Sequence, residues 1–148
     1  MATTDLALWR SVRAEQFPDG TVIDGAPAPG VLFPDFHPRD VSPGNTRAAD
    51  VDLFKDTAGN EWIKQGGGTS LFDRADVFKG KGWRSFTLPK GTVVPDSLTV
   101  RFTGRNARLA ADHYQIECVT RTMRVDAFKG ALDNLARNAV VRLVELAH

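Results

Sequence analysis

Short stretches in which hydrophobic and polar residues alternate run through much of the chain and predict β-strands. The clearest are Leu6–Val12, Trp83–Leu88, Leu98–Phe102 and His113–Val119. Phe54–Ile63 is typical of a hairpin, because hydrophobic residues flank a Gly59-Asn60 pair that suits a tight turn. The hydrophobic pattern therefore predicts a protein with many short strands.

The last of these stretches carries several polar side chains. Side chains alternate between the two faces of a strand, so His113, Gln115 and Glu117 share one face, while Tyr114 and Ile116 lie on the other. We therefore expect a polar surface on one side of this strand and core packing on the other.

Helical spacing dominates the C-terminal part of the chain. From Asp126 onward, hydrophobic residues recur three or four positions apart. They are Val125, Phe128, Leu132, Leu135, Ala139, Leu143 and Leu146. Short helical segments are also predicted at Asn45–Asp50 and Ser70–Phe78, and Gly25–Pro43 is predicted to be irregular but packed. Strands interleaved with a few helices indicate an α+β fold.

Length, composition and charge exclude several classes of protein. The chain has 148 residues, 42% of them hydrophobic, which favours one globular domain spanning residues 1–148. A net charge of +1 argues against a nucleic-acid or membrane-surface partner, and no stretch is long and apolar enough to cross a bilayer. Cys118 is the only cysteine, so no internal disulfide forms. The N-terminus lacks the pattern of a cleavable signal peptide.

Common catalytic and metal-binding motifs are missing. The three histidines and one cysteine show no zinc-binding spacing, and there is no P-loop or dinucleotide-binding fingerprint. A triad of Ser70, His113 and Asp73 would lack a nucleophile elbow.

The stretch Gln65–Arg74 is the most unusual part of the sequence. Its consecutive glycines, Gly66–Gly68, allow a sharp turn or a very close backbone contact, and the hydroxyls of Thr69 and Ser70 follow at once. Two interpretations stand: an edge that contacts a polar ligand, or a turn that caps a helix. Arg10, in the first predicted strand, is likewise either an anion-binding residue or a solvent-facing one.

A family resemblance favours the ligand-binding interpretation. Gly67-Gly68-Thr69-Ser70 and the following Phe72-Asp73-Arg74-Ala75 resemble the signature of the second type VI secretion exported effector family. Further matches lie at Leu8-Trp9-Arg10, Arg47-Ala48 with Asp50, Pro89 with Gly91-Thr92, His113-Tyr114 with Ile116, and Leu132-Asp133-Asn134 to Arg142. Each motif is weak alone, and their shared order is specific.

The resemblance implies a bacterial toxin with an ADP-ribosyltransferase-type fold, a split β-sandwich with a C-terminal helix. NAD, the co-substrate, would lie between two small sheets, with its pyrophosphate held by Arg10 and Arg47. The backbone at Gly67 and Gly68 would lie close to the nicotinamide amide, and Thr69 and Ser70 would bind the ribose or hold a neighbour.

The resemblance leaves alternatives for the residue that would cover the nicotinamide ring and for the catalytic carboxylate. Either Tyr114 or His113 would cover the ring, and Phe72 is expected beside the co-substrate. Gln115-Ile116-Glu117 has the Gln-x-Glu form of many ADP-ribosyltransferases, in which the glutamate stabilises a cationic sugar. The toxins that this chain resembles have no glutamate there. Glu117 is therefore either a catalytic acid or an exposed strand residue, and Gln115 or His113 remain alternatives for orienting the substrate.

The resemblance also implies partners and a place of action. We expect transfer of ADP-ribose to an unidentified macromolecular acceptor in the cytoplasm of a competing cell, and inhibition by a cognate immunity protein. NAD hydrolysis in the same pocket and a non-enzymatic toxin are the alternatives.

Overall fold

Antiparallel sheets and one long helix make up the molecule. A computed structural model describes all of Met1–His148. The strands are β1 (Leu8–Arg13), β2 (Val22–Ile23), β3 (Ala26–Pro27), β4 (Arg39–Ser42), β5 (Asn45–Arg47), β6 (Asp52–Lys55), β7 (Glu61–Lys64), β8 (Thr69–Phe72), β9 (Trp83–Leu88), β10 (Leu98–Asn106), β11 (Ala111–Cys118) and β12 (Thr122–Arg124). The helix is α1 (Val125–Ala147), which is too polar to be a membrane-spanning helix.

The strands form one larger sheet and three smaller ones. The five-stranded sheet has the order β10-β11-β8-β1-β9, and a three-stranded sheet has the order β12-β7-β6. The hairpins β2-β3 and β4-β5 pair only internally. The predicted α+β class is confirmed, as are the four alternating strands, the hairpin with Gly59-Asn60 in its turn, and the C-terminal helix.

The two predicted short helices are wrong. Asn45–Asp50 instead contributes β5, which pairs with β4 across a turn where Gly44 has a φ of 79°. Ser70–Phe78 instead begins with β8, which hydrogen-bonds to β11 on one side and β1 on the other. Pairing with two neighbours satisfies more backbone groups than a single helical turn could, so tertiary context overrides the local signal.

The core lies between the five-stranded sheet and α1. The helix contributes Phe128, Leu132 and Leu135, which are fully buried. The sheet contributes the alternate residues of its central strands, including Leu71 and Ile116. Burying a side chain of this size contributes about 1.5–3 kcal/mol. The helical pattern extends beyond the core, because Leu143 and Leu146 are 47% and 57% exposed.

The prediction that Gly25–Pro43 is irregular is wrong near both ends, where β3 and β4 lie, and is confirmed for the partly packed segment between these strands. Val31 and Leu32 are completely buried. Asp133 of α1 accepts a hydrogen bond from the Gly30 amide at 3.1 Å, and the rings of Phe36 and Phe128 meet edge to face. The helix thus holds this segment in place against the sheet.

The same helix also fastens the loop after β9. Asn138 donates to the Val93 carbonyl and Arg142 to the Lys90 carbonyl, each at 3.0 Å. The guanidinium of Arg142 lies so close to Gly91 that a β-carbon there would be 2.7 Å from its Nε. Two sequence motifs about 50 residues apart therefore meet in one structural contact.

The glycines before β8 lie very close to the backbone of neighbouring segments. A β-carbon on Gly68 would lie 1.8 Å from the Ile116 carbonyl oxygen, and one on Gly67 would lie 2.5 Å from the Asp50 carbonyl oxygen. The Gly68 amide donates to that same Asp50 oxygen at 3.2 Å. Only glycine lets the chain turn here and enter the centre of the sheet.

Gly68→Ala is expected to destabilise the protein by about 3 kcal/mol or more, because the new methyl group collides with backbone that cannot move aside. Gly82→Ala is the matched control, since a β-carbon there meets no atom within 4 Å. Urea denaturation measures both. A Gly68→Ala protein as stable as the control would contradict the packing of β8 against β11.

Candidate active site

A cavity of about 450 Å³ opens beside the central strands of the large sheet. Its walls come from β1, β8, the 30–35 segment, the β4-β5 hairpin, residues 78–83 and the turn after β10. Strands β1 and β8 pair only at Trp9 and Phe72 and share no further register. Beyond that pair the two strands are not paired with each other, and residues of both line the cavity there.

Arg10 lies in the gap between the diverging strands. Its Nη1 donates to the Ser70 carbonyl at 3.2 Å and its Nη2 to the Phe33 carbonyl at 3.1 Å. Burial lowers the pKa of the Arg10 guanidinium, and the nearby carboxylates of Asp50 and Asp35 oppose this effect. The guanidinium stays charged, since arginine keeps its proton in proteins.

The cavity carries an excess of positive charge. Five arginines and two aspartates line it: Arg10, Arg13, Arg39, Arg47 and Arg108, with Asp35 and Asp50. The Nε atoms of three of these arginines, Arg10, Arg13 and Arg39, are buried without a hydrogen-bond partner. A buried donor left unpaired costs roughly 1–3 kcal/mol. Five arginines against two aspartates around one cavity point to an anionic ligand.

The ion pairs at the mouth of the cavity are loose. Arg39 lies 3.6 Å from the Asp35 carboxylate, and Arg47 lies 3.5 Å from Asp35 and 3.8 Å from Asp50. These separations exceed those of a good charge-assisted hydrogen bond, about 2.7–2.9 Å. The two arginines can therefore bind a better-placed anion with little loss.

Ser70 and His113 bring a hydroxyl and an imidazole to the same cavity. His113 pairs with Phe72 across the strands, and their rings meet edge to face with centroids 5.2 Å apart. Its Nδ1 contacts the Thr103 hydroxyl. Burial lowers the pKa of His113 below its ordinary value of 6.5, so the imidazole is neutral at pH 7.

Comparisons with known proteins give the family. A family model described as Tse2 ADP-ribosyltransferase toxin matches residues 4–144. Toxin Tse2 of Pseudomonas aeruginosa is 32% identical over 153 residues, which covers 97% of this chain and 94% of that protein. The chain belongs to the Tse2 family. The resemblance drawn from the sequence motifs is confirmed, and membership identifies a toxin of the ADP-ribosyltransferase type.

In the structure of this Tse2-family toxin, the two predicted hydroxyl residues, Thr69 and Ser70, lie on opposite faces of β8. The Thr69 side chain is fully buried, and its hydroxyl donates to the Leu32 carbonyl at 2.6 Å. Ser70 points to the opposite face of β8 and lines the cavity. Gly67 and Gly68 lie behind the cavity wall, against Asp50 and Ile116.

Glu117 and Gln115 also lie outside the cavity lining. Glu117 is 4% exposed, and its Oε2 accepts hydrogen bonds from Arg101 Nη2 and from Gln115 Nε2, both at 2.6 Å. Gln115 Nε2 also donates to the Gly66 carbonyl at 3.0 Å. The glutamate is thus a buried ion-pair partner that steadies the glycine turn through Gln115.

Among the candidates for covering the ring, His113 faces the large cavity and Tyr114 does not. Tyr114 lines a separate cavity of about 150 Å³ beneath the N-terminal residues. Arg47 and Phe72 both line the large cavity, as Arg10 does. Five of the eleven predicted site residues therefore meet in one place: Arg10, Arg47, Ser70, Phe72 and His113.

Sequence reasoning did not identify several residues that line the cavity. Arg13, Arg39 and Trp83 are among them. Arg13 follows Arg10 by three positions in the same strand, a spacing that places the two side chains on opposite faces, so the sequence gives no signal that they share a cavity. Arg39 lies in the irregular stretch, where no periodicity says which way a side chain points.

The ion pair of Glu117 predicts a pH-dependent contribution to stability. The hydrogen bond from Arg101 is the main cause that lowers the pKa of Glu117 below its ordinary 4.5. Since the folded-state pKa is lower than the unfolded one, the stabilisation is complete above about pH 4.5 and is lost as pH falls through the folded value.

Glu117→Gln is therefore expected to lower the free energy of unfolding by about 1.5–3 kcal/mol at pH 7, and by clearly less at pH 3. Glu15→Gln, at an exposed position with no ion pair, is the control. Urea unfolding at both pH values gives the comparison, and an equal deficit at pH 7 and pH 3 would refute the ion-pair assignment.

Proposed function

We propose that this toxin uses NAD to transfer ADP-ribose to a macromolecular acceptor in the cytoplasm of a competing cell. The observation that carries the proposal is the cavity lining of five arginines and two aspartates, which also contains the Ser70 hydroxyl and the His113 imidazole. A dinucleotide has a pyrophosphate that the arginines would bind and ribose hydroxyls that Ser70 would meet.

The residues present fit NAD. Arg10, Arg39 and Arg47 would hold the pyrophosphate, because guanidinium groups pair with phosphate oxygens through two parallel hydrogen bonds. Arg10 already donates from Nη1 and Nη2 to two carbonyls, so it would bind a phosphate oxygen through the N–H groups that these bonds leave over. Ser70 would bind a ribose hydroxyl, and Phe72 with His113 would pack against the nicotinamide ring.

NAD, when bound, supplies a labile bond between nicotinamide and ribose and the ADP-ribosyl group that is transferred. The chain's own part is to position that bond and to move one proton. Nδ1 of His113 contacts Thr103, which leaves Nε2 free to accept a proton from the acceptor's nucleophile. A neutral imidazole is the form that this task requires.

In this proposal five other predicted site residues maintain the structure around the cavity and do not bind NAD. Thr69 holds the buried 32–33 backbone, Gly67 and Gly68 allow the turn, and Gln115 with Glu117 fixes Gly66. None of these side chains would need to touch NAD.

The proposal extends to the fold and the partners. The large sheet and the three-stranded sheet would form the two halves of an ADP-ribosyltransferase split β-sandwich, within one domain spanning residues 1–148. Delivery into the competitor would use type VI secretion. A cognate immunity protein would block the toxin in the cell that makes it.

Incubation with NAD labelled in its adenylate half tests the activity. With target-cell lysate, we expect label on a macromolecule. Free ADP-ribose without labelled macromolecule would indicate NAD hydrolysis instead. If NAD stays intact in both conditions, the enzymatic proposal is wrong. Heat-denatured toxin controls for NAD-consuming enzymes of the lysate.

Ser70→Ala is expected to lower NAD cleavage at least about tenfold, the loss of one hydrogen bond in the reactive complex, while stability changes by less than about 0.5 kcal/mol. Thr69→Ala is expected to destabilise the protein by about 1–3 kcal/mol, because the buried Leu32 carbonyl loses its donor.

Thr69→Ser retains the hydroxyl and serves as the control for that loss. Single-turnover NAD cleavage and thermal unfolding of all three variants separate the two roles. Full activity in Ser70→Ala would remove Ser70 from the site.

A further inference from the structure

One wall of the cavity is a run of aromatic rings that ends in a guanidinium. From His113 the contacts pass through Phe72 to Phe78, with centroids 6.0 Å apart, and then to Trp83, where the rings stack at 4.6 Å. Arg13 lies over the Trp83 indole, with its Cζ 5.3 Å from the ring centroid. All of these residues line the cavity.

The Arg13 end of the wall has an unsatisfied donor. Arg13 and Trp83 are directly opposite on β1 and β9, so the strand register fixes their contact. The Nε of Arg13 is buried and has no hydrogen-bond partner. Arg13 therefore lines the cavity with a guanidinium whose hydrogen bonds the protein satisfies only in part.

The charges of nicotinamide and adenine, the two bases of NAD, indicate which one would bind at the Arg13 end of the wall. The nicotinamide ring of NAD is cationic, so a second cation beside it is unfavourable. Adenine is neutral, stacks on guanidinium planes and aromatic rings, and has ring nitrogens that accept hydrogen bonds. The opposite end of the wall offers aromatic rings and the neutral His113, which suit a cationic ring.

We infer that Arg13 and Trp83, with Phe78 behind them, form the adenine-binding subsite of this toxin. The inference rests on the proposed use of NAD and sets the direction of the dinucleotide in the cavity. Adenine packs at the Arg13 end, the pyrophosphate lies near Arg10, and nicotinamide points toward Ser70 and His113.

Two mononucleotides test this assignment, because AMP and nicotinamide mononucleotide each carry one 5′-phosphate and differ in the base. Arg13→Lys keeps the charge but loses the guanidinium plane. We expect it to weaken AMP binding about tenfold, in the range of base stacking, and to change the affinity for nicotinamide mononucleotide less than twofold. Calorimetric or ligand-detected NMR titrations of the full chain give both affinities.

Controls separate stacking from folding and from phosphate binding. Arg84→Lys changes an exposed arginine of the same strand region and is expected to bind both ligands as the parent does. Trp83→Phe keeps a ring and should weaken AMP binding less than Trp83→Ala. Trp62→Ala removes a tryptophan that stacks on Phe54 outside the cavity and controls for loss of an indole.

Three results would overturn the subsite. The first is that Arg13→Lys weakens the binding of both mononucleotides equally, which would mark Arg13 as a phosphate ligand. The second is that Arg13→Lys selectively weakens the binding of nicotinamide mononucleotide. The third is that the affinity for AMP is unchanged in both Arg13→Lys and Trp83→Ala. If the parent binds NAD but not AMP, the subsite fails and the proposed function stands. If the parent binds no NAD at all, both fail.

Discussion

The guanidinium of Arg10 joins the segments that enclose the cavity. It lies where β1 and β8 part, and it binds the carbonyls of Ser70 on one side and Phe33 on the other. These carbonyls would otherwise face a gap in the sheet without a donor, at a cost comparable to a lost hydrogen bond. The residue that is best placed to bind an anion therefore also maintains the opening in which the anion would lie.

The motifs shared with the Tse2 family mostly surround the site rather than form it. Asp133 of α1 binds the Gly30 amide, and Asn138 and Arg142 bind the loop that contains Gly91. Outside these motifs, Glu117 accepts hydrogen bonds from Arg101 and Gln115, and Gln115 also binds the Gly66 carbonyl in the glycine turn. Such contacts hold a cavity wall within the small tolerance that substrate positioning requires.

Charges of opposite sign lie close together in the cavity. Asp35 and Asp50 lie close enough to Arg39 and Arg47 to reduce their mutual repulsion, but too far for strong hydrogen bonds. The arginines therefore remain in place without being fully satisfied. A cavity of this kind favours an anion over a neutral ligand, and it leaves the aromatic wall to distinguish the two ends of a dinucleotide.

Local sequence patterns and motif order were enough to predict the class of fold, the long strands, the C-terminal helix and the family. Periodicity reports burial, and burial dominates in long elements such as β11 and α1. Motif order then identified the Tse2 family and pointed to Arg10, Arg47, Ser70, Phe72 and His113, which the structure brings to one cavity. These features depend on local pattern or on residue order.

Tertiary contacts, in contrast, determine that the segment after the glycines forms β8 and which polar residues face the cavity. A helical signal after the glycines gave way because β11 and β1 both pair with this segment. The sequence motif predicted one shared role for Thr69 and Ser70, and it is strand β8 that turns them to opposite faces, with the Thr69 hydroxyl bound to Leu32, which is distant in sequence. Glu117 lies outside the cavity lining, where Arg101 on the neighbouring strand is within hydrogen-bonding distance. Contacts between distant residues decide such questions, and no local pattern encodes them.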